Sequence, residues 1–379
     1  MLRYITAGES HGKTMLAIVD GFPAGLKIDS EVINTELARR QGGYGRGQRQ
    51  KLETDQVEFL TGTWNNETIG SPIALQVINR DYKLERLKEL PRPRPGHGDL
   101  SGSLKYLTSI RGVLERASAR ETCVRVAAGA LSRQLLEAFG IQILGYVTQL
   151  GSLSIESQPG DLDYQRSLRN KSEIYSLNPD QDPQAKQLVD DTKSMGDTLG
   201  GIVEVRAEGM PFGLGTHAQW DRKLDGRLAQ AVMAVQAIKG VEIGMGFEAA
   251  TLTGSQVHDP IQFDPGSIRS HNLGFKRPSN NAGGLEAGMT NGQPLVVRAA
   301  MKPISTLQKP LESIDMKTKE PSTASYERSD ICAVPACSVI IENVVAFELA
   351  TALVEKFGND SLQEMLARHK LFQDMAAKH

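Results

Sequence analysis

Residues 37–52, which read LARRQGGYGRGQRQKL, form a stretch that is locally rich in basic residues. This stretch contains no acidic residue, although the whole chain has a formal net charge of −2. Its glycines permit close backbone approach, so several guanidinium groups can converge on the carboxylate or phosphate oxygens of one ligand. We therefore predict a site for a multiply charged anion. A solvated basic loop or an RNA-binding arm has the same composition, and this stretch alone leaves both alternatives open.

Three further segments carry side chains suited to catalysis or anion binding. Ser10 and His11 occupy a tight turn between two predicted strands, and catalytic side chains are often found on such loops. His97 lies between two glycines, directly after a segment that three prolines stiffen. A predicted helix flanked by Arg116 and Arg120 offers an anion site at its N-terminus. Several such loops predict an enzyme site for a polyanion, although a structural role for each histidine stays open.

Motif spacing argues against several other kinds of site. Residues 7–14, AGESHGKT, lack the first glycine of a P-loop and precede no helix that would complete one, which disfavours a nucleoside triphosphatase. Residues 244–249 match the dinucleotide-binding fingerprint loosely, but they follow a helical pattern and open no helix. The three cysteines have no ligand spacing and the histidines are scattered, so neither a disulfide framework nor a metal site is predicted.

Composition predicts the compartment and the kinds of partner. A pI near 6.4 disfavours a dedicated nucleic-acid binder. The N-terminal segment turns polar after six residues, unlike a signal peptide, and no apolar run approaches the roughly 18 residues of a membrane span. We expect a cytoplasmic protein that binds neither nucleic acid nor membranes.

The elements that must position these loops are a mixture of strands and helices. Alternating apolar residues predict strands at 2–7, 15–19, 202–206 and 295–301, with two more between 57 and 77. Helical spacing of apolar residues predicts helices at 29–40, 118–139, 221–238 and 345–357, and from residue 361 onward. Ser118 and Glu121 have the spacing of a capping box for the second of these helices. The polar residues 156–196 predict a surface excursion or a helical insertion.

Taken in order, the loops resemble those of the chorismate synthase family along nearly the whole chain. The matching stretches are GESHGK (8–13), RRQGGYGRGQRQKLETDQV (39–57), RPGHGD (94–99), RASARET (116–122), RVAAGA (125–130), GMPFGLG (209–215), SNNAGGLEAGMTNG (279–292), KPIST (302–306) and RSDIC (328–332). Their order and spacing agree with the family, so the resemblance does not depend on any single motif.

The resemblance implies a fold, a reaction and an assembly. The fold would be α+β, a β-α-β sandwich with one domain over residues 1–379. Residues 345–379 would form the closing helices, that is, the last helices of the chain. The reaction would be the 1,4-anti elimination of phosphate from 5-enolpyruvylshikimate 3-phosphate to give chorismate, in the shikimate pathway. It requires reduced FMN without net redox change, and NADPH is a possible reductant. The family forms homotetramers.

The resemblance also implies roles for individual residues. His97 would protonate the reduced flavin or hold it protonated, His11 would assist proton transfer near the departing phosphate, and Asp330 would aid proton removal through flavin N5. The substrate clamp would comprise Ser10, Arg40, Arg46, Arg49, Arg94, Arg120 and Arg328, of which Arg40 and Arg46 are also where the family places a nicotinamide nucleotide. The flavin contacts would be Arg116, Ala117, Ser118, Gln236, Ala237, Ala287, Lys302, Pro303, Ile304, Ser305, Thr306 and Arg328.

Three positions depart from the family pattern. Gly98 stands where alanine is usual, and we expect it to loosen the loop that carries His97 slightly. Asn281 replaces a common histidine, and Ala287 replaces a common glycine near the expected flavin contacts.

Overall fold

The computed structural model describes residues 1–47, 54–327 and 329–379, and it combines antiparallel sheets with helices. The predicted α+β class is confirmed. The α-helices of the described ranges are α1 (Ser30–Gln41), α2 (Asp99–Tyr106), α3 (Ile110–Ala117), α4 (Thr122–Glu137), α5 (Leu162–Lys171), α6 (Asp182–Ser194), α7 (Leu224–Met233), α8 (Gly254–Val257), α9 (Val334–Phe357) and α10 (Leu362–Ala376).

The strands range from two-residue hairpin arms to longer strands that build the two main sheets. They are β1 (Arg3–Ala7), β2 (Thr14–Asp20), β3 (Val57–Phe59), β4 (Thr63–Trp64), β5 (Glu67–Thr68), β6 (Ile73–Ile78), β7 (Gln142–Leu150), β8 (Leu153–Ser154), β9 (Gly201–Glu208), β10 (Ile238–Ile243), β11 (Gln262–Phe263), β12 (Phe275–Lys276), β13 (Leu285–Glu286), β14 (Met289–Thr290), β15 (Leu295–Met301), β16 (Glu312–Ile314) and β17 (Pro321–Thr323).

The first main sheet has the strand order β1-β2-β6-β3, with every pair antiparallel. In β2 the alternate residues Met15, Ala17 and Val19 are buried, as expected for a strand with one face on the core. β1 and β2 form a hairpin in which Ile5 lies opposite Ile18. The predicted strand, turn and strand are therefore confirmed, and the turn carries Ser10 and His11.

The second main sheet has the order β10-β15-β9-β7-β8 and is also antiparallel. The two predicted strands here, β9 and β15, are its neighbouring central strands. Val203 and Val205 of β9 and Leu295 and Val297 of β15 are fully buried. One face of this sheet therefore belongs to the core.

Two helices occupy the core between these sheets. α4 packs on β2 and β6 of the first sheet and on α9, which in turn packs on β7 and β9 of the second sheet. In the described residues, α9 is the one helix long and apolar enough to span a membrane, with a mean hydropathy of 1.8 over its most apolar window. However, 94% of that window is buried inside the protein, as in the core helix of a soluble protein.

Three helix boundaries in the structure differ from those predicted from the sequence. The capping box at Ser118 is absent: Ser118 accepts a hydrogen bond from the Arg120 amide of a short 3-10 turn, and α4 begins only at Thr122. α7 ends at Met233, because residues from Ile238 pair with β15 as strand β10 instead of continuing the helix. α9 begins at Val334, eleven residues before the predicted start, and a proline in its first turn is compatible with a helix start.

Candidate active site

A cavity of about 680 Å³ lies where the β1–β2 turn, the end of α1, the 94–98 loop and the start of α4 meet. Its volume is within the range of small-molecule sites. It brings together most of the residues that the sequence predicted for a site. These are Ser10, His11, Arg40, Arg46, Arg94, His97, Ala117, Ser118, Arg120, Gln236, Ala237, Lys302, Ile304, Ser305, Thr306 and Asp330.

The other predicted site residues are elsewhere. The Arg116 guanidinium donates to the carbonyls of Thr6 and Gly8, and Arg116 does not line the cavity. Pro303 is exposed next to the lining residues, and Ala287 is exposed at the tip of the β13–β14 hairpin. Arg49 and Arg328 lie outside the described residues.

Arg40 and Arg120 share one buried carboxylate. Arg40 is held by α1, whose residues Ile33 and Leu37 are fully buried. Its Nη2 donates to Asp55 Oδ2 at 2.8 Å, and Arg120 Nη1 lies 2.7 Å from both Asp55 oxygens. Burial alone would raise the pKa of Asp55, but the two guanidinium groups hold it below its usual value. The pair is thus fixed in place before any ligand binds.

Arg46 and Asp330, which both line the cavity, form a second ion pair. Arg46 Nη1 lies 2.6 Å from Asp330 Oδ2, while the Gly47 amide donates to Oδ1 at 2.6 Å. Burial lowers the pKa of Arg46. Both Arg40 and Arg46 line the cavity, and among the described residues their buried Nε atoms have no hydrogen-bond acceptor. Guanidinium groups in such a cavity are suited to an anionic ligand.

His97 is oriented by a neighbouring carboxylate and arginine. Its Nδ1 lies 2.5 Å from Asp99 Oδ1, and Arg94 donates to Asp99 Oδ2 through Nε at 2.8 Å. Arg94 also donates to Thr306 Oγ1 at 2.9 Å, so its guanidinium is used mainly in holding the wall of the site. Burial alone would raise the pKa of Asp99, but the hydrogen bonds from His97 and Arg94 hold it well below its usual range.

His11 has an equivalent carboxylate partner. Its Nδ1 lies 3.0 Å from Glu115 Oε1, and its backbone amide donates to Glu115 Oε2 at 2.8 Å. Glu115 is also 3.7 Å from Arg111, which in turn pairs with Glu327 at 2.9 Å. Despite burial, the bonds from His11 lower the pKa of Glu115. The cavity therefore contains two histidines whose Nδ1 atoms face carboxylates, an arrangement that fixes ring orientation.

Three carboxylates that organise the site, those of Asp55, Asp99 and Glu115, were not among the predicted site residues, whereas Asp330 was. Asp99 was signalled by its position two residues after His97 in RPGHGD, and Asp55 by its place just after the basic stretch. Glu115 lies 104 residues from His11 and had no local signal. Lys83 and Arg111 also line the cavity and were missed.

One wall of the cavity suits a planar, hydrogen-bonding ring. Leu114, Met301 and Ile340 supply apolar surface. The Gln236 side chain donates to Glu121 at 3.3 Å, while its buried Oε1 atom has no donor among the described residues. Burial and the nearby Lys239 lower the pKa of Lys302. A free acceptor, a cation and apolar walls together fit an anionic flavin nucleotide. In the described ranges, no cluster of histidine, cysteine and acidic side chains is arranged to hold a metal ion.

Comparisons with known proteins point to a single family. The family model described as chorismate synthase matches residues 2–354. A chorismate synthase from Geobacter metallireducens is 53% identical, with 99% of each chain covered, and one from Trichlorobacter lovleyi is 54% identical, with 96% of each covered. A solved structure titled "Crystal Structure of Chorismate Synthase" is 41% identical with a TM-score of 0.81, covering 100% of this chain and 99% of that one. This chain therefore belongs to the chorismate synthase family of lyases.

Proposed function

We propose that this enzyme eliminates phosphate from 5-enolpyruvylshikimate 3-phosphate in the 1,4-anti sense to give chorismate, in the shikimate pathway, and requires reduced FMN. The observation that supports this most directly is the convergence of Arg40, Arg46 and Arg120 on one cavity that also holds two carboxylate-paired histidines. A substrate with one phosphate and two carboxylates needs several cationic groups at separate points.

The substrate clamp in this proposal consists of Ser10, Arg40, Arg46 and Arg120, completed by Arg49 and Arg328 from the family pattern. Arginine neutralises a leaving phosphate without exchanging a proton, because it stays charged throughout the working pH range. Arg94 does not bind the substrate directly in this proposal, because its guanidinium is hydrogen-bonded to Asp99 and Thr306 and so supports the wall of the site.

The proton-handling groups are His11, His97 and Asp330. His11, held by Glu115, donates a proton near the departing phosphate. His97, held by Asp99, keeps a proton at the flavin side of the cavity. The Asp330 carboxylate takes part in removing the proton from substrate C6, and its pairing with Arg46 places it beside the clamp.

Reduced FMN, when bound, supplies electron density to the substrate as phosphate departs. Ala117, Ser118, Gln236, Ala237, Lys302, Ile304, Ser305 and Thr306 line the wall proposed to hold it. Gln236 would offer its Oε1 atom as a hydrogen-bond acceptor and Lys302 would offer positive charge, while Arg116, Pro303 and Ala287 would contribute only by the family pattern.

We further propose the finer architecture and assembly that the resemblance implied. The packing of α4 and α9 between two antiparallel sheets supports a β-α-β sandwich in one domain. By analogy with the family we propose a cytoplasmic homotetramer without nucleic-acid or membrane partners.

An anaerobic assay with chemically reduced FMN and 5-enolpyruvylshikimate 3-phosphate tests the proposal. Phosphate release and the diene absorbance of chorismate should rise together. A parallel sample with oxidised FMN and NADPH asks whether the enzyme also reduces its flavin. Folded protein that binds FMN but forms no product in either sample would overturn the proposal. An RNA-binding arm instead predicts RNA affinity that falls steeply with salt, and a P-loop predicts ATP or GTP binding that changing Lys13 abolishes.

Two substitutions separate binding from proton handling. Arg46→Ala should raise KM by roughly 10- to 150-fold, because a buried charge-assisted hydrogen bond contributes about 1.5–3 kcal/mol. His97→Ala should mainly lower kcat, by about 10²- to 10⁴-fold. Arg3→Ala is the control, because Arg3 pairs with Asp20 at the surface, and its kinetics should stay normal. Near-normal turnover and KM in Arg46→Ala would contradict the clamp assignment.

A further inference from the structure

The loop of residues 42–47, which carries Arg46, lies between the active-site cavity and a second cavity. Residues 42–47 border the active-site cavity through Arg46 and Gly47. The same residues border a cavity of about 610 Å³ that is also lined by Val189 and Asp190 of α6. The loop is therefore not embedded in the core, and its position depends on the bonds made to it from neighbouring segments.

Tyr175, in the 156–196 excursion, bonds to the last turn of α1, directly before this loop. Its hydroxyl donates to the carbonyl of Arg39 at 3.1 Å, and the Arg39 guanidinium lies 5.7 Å from the centre of its ring. A Cβ added at Gly42 would lie 2.4 Å from the Tyr175 hydroxyl oxygen. Tyr175 has a φ of +60°, a conformation that a bulky residue adopts only where its surroundings impose it.

Tyr44 provides the second connection. Its backbone amide donates to the carbonyl of Glu173 at 2.9 Å, and its hydroxyl donates to Asp190 at 2.9 Å. On the other side of the loop, the Ile331 amide donates to the carbonyl of Gly45 at 3.0 Å. The loop is thus held between the excursion and the segment that carries Asp330.

The excursion is itself tied to the core through a buried ion cluster. Arg169 of α5 lies 3.2 Å from Glu342 of α9, and Arg39 lies 3.1 Å from the same carboxylate oxygen. Glu342 is fully buried. Breaking a buried ion pair of this kind is costly, so α5, α9 and the end of α1 are expected to keep a fixed relative position.

From these contacts we infer that the 156–196 excursion is a positioning element for the active site, in which Tyr175 sets the conformation of residues 42–47 and hence the placement of Arg46. This inference rests on the proposed function only in naming the ligand that Arg46 meets. Tyr175 touches no reacting group in this assignment and acts through the loop.

Tyr175→Phe is the direct test, because it removes the hydroxyl and keeps the ring. Tyr164→Phe is the matched control: Tyr164 lies in the same excursion, and its hydroxyl donates to Gln158 at 3.1 Å, remote from the loop contacts. We expect Tyr175→Phe to raise the KM for 5-enolpyruvylshikimate 3-phosphate about fivefold with kcat within about twofold of the parent, since one neutral hydrogen bond is lost. Amide hydrogen exchange in residues 42–47 should become faster, while Tyr164→Phe changes neither quantity.

A double-substitution cycle tests whether Tyr175 acts through the loop. Gly42→Ala should raise KM because its new methyl group meets the Tyr175 hydroxyl, and its added effect should be smaller in the Tyr175→Phe background, where that oxygen is gone. Unchanged KM and exchange in Tyr175→Phe, equal changes in the Tyr164→Phe control, or additive effects in the cycle would each overturn the inference. If the parent enzyme forms no chorismate, the proposed function fails, and hydrogen exchange alone decides the positioning role.

Discussion

Removal of the Asp55 charge is expected to be among the most destabilising conservative changes in this protein. The Asp55 side chain is fully buried, and the side chains of Arg40 and Arg120 are only 4% and 6% exposed. Asp55→Asn keeps the shape and one acceptor oxygen, but it leaves two buried guanidinium groups without this counter-charge. Removing one partner of a buried ion pair costs about 3–5 kcal/mol, and we expect the free energy of unfolding to fall by that amount.

Urea unfolding at fixed protein concentration provides the assay, with Asp20→Asn as the control. Asp20 also pairs with one arginine, Arg3, but those side chains are 45% and 71% exposed, so the control should lose at most about 1 kcal/mol. Phosphate or sulfate should restore part of the stability of Asp55→Asn and have no specific effect on the control. A difference of less than about 1 kcal/mol between the two variants would refute the argument that this buried carboxylate stabilises the arginine pair.

The pH dependence of stability gives an independent check. The folded-state pKa of Asp55 is lowered, so its contribution is fully present above its unfolded pKa of about 3.9 and is lost as pH falls through the lower folded value. The parent protein should therefore lose more stability than Asp55→Asn below about pH 4. Parallel curves for the two proteins would contradict the assigned pKa direction.

Three further outcomes are expected. Gly98→Ala should stabilise the protein by about 0.4–1 kcal/mol in urea unfolding, because Gly98 has φ −73° and the new Cβ would lie 3.9 Å from Ala117; a loss of stability would contradict this. Ala287→Gly should stabilise by about 1–2 kcal/mol, since Ala287 has φ +50°, and an unchanged midpoint would count against it. The thiols of Cys123, Cys332 and Cys337 should react with iodoacetamide at pH 8 only after unfolding, because burial raises the pKa of each thiol to about 11 or 12. Rapid labelling of the native protein would contradict this expectation.

Features that depend on neighbours in sequence were predictable, and features that depend on distant pairing were not. The β1–β2 hairpin followed from alternation within a few residues, and the cluster of Arg40 and Arg46 was visible as local composition. By contrast, His11 is paired with Glu115, 104 residues away, and no periodic pattern indicates such a contact. The predicted helix at 221–238 is also shorter in the structure, because its last residue, Ile238, pairs with β15 as the start of β10.

The site as a whole was predicted as a meeting of arginine and histidine loops with one carboxylate, Asp330, and without Asp55, Asp99 and Glu115. The composition of residues 37–52 predicted guanidinium groups that converge on an anion, but it did not indicate that Arg40 pairs with Asp55 and Arg46 with Asp330. The sequence shows which residues can attract an anion. The acidic residues that position those arginines before a ligand binds come from other segments, which only the fold brings close.

The central position of α9 has a consequence for how the chain folds. α4, at residues 122–137, finds its main helical partner about 200 residues later in α9, so loop closure must precede core formation. A nascent chain that ends before residue 334 already contains every strand of the two main sheets. It still exposes the apolar surface of α4 that α9 later covers. Synthesis therefore passes through a long interval in which this chain is open to aggregation and to chaperone binding.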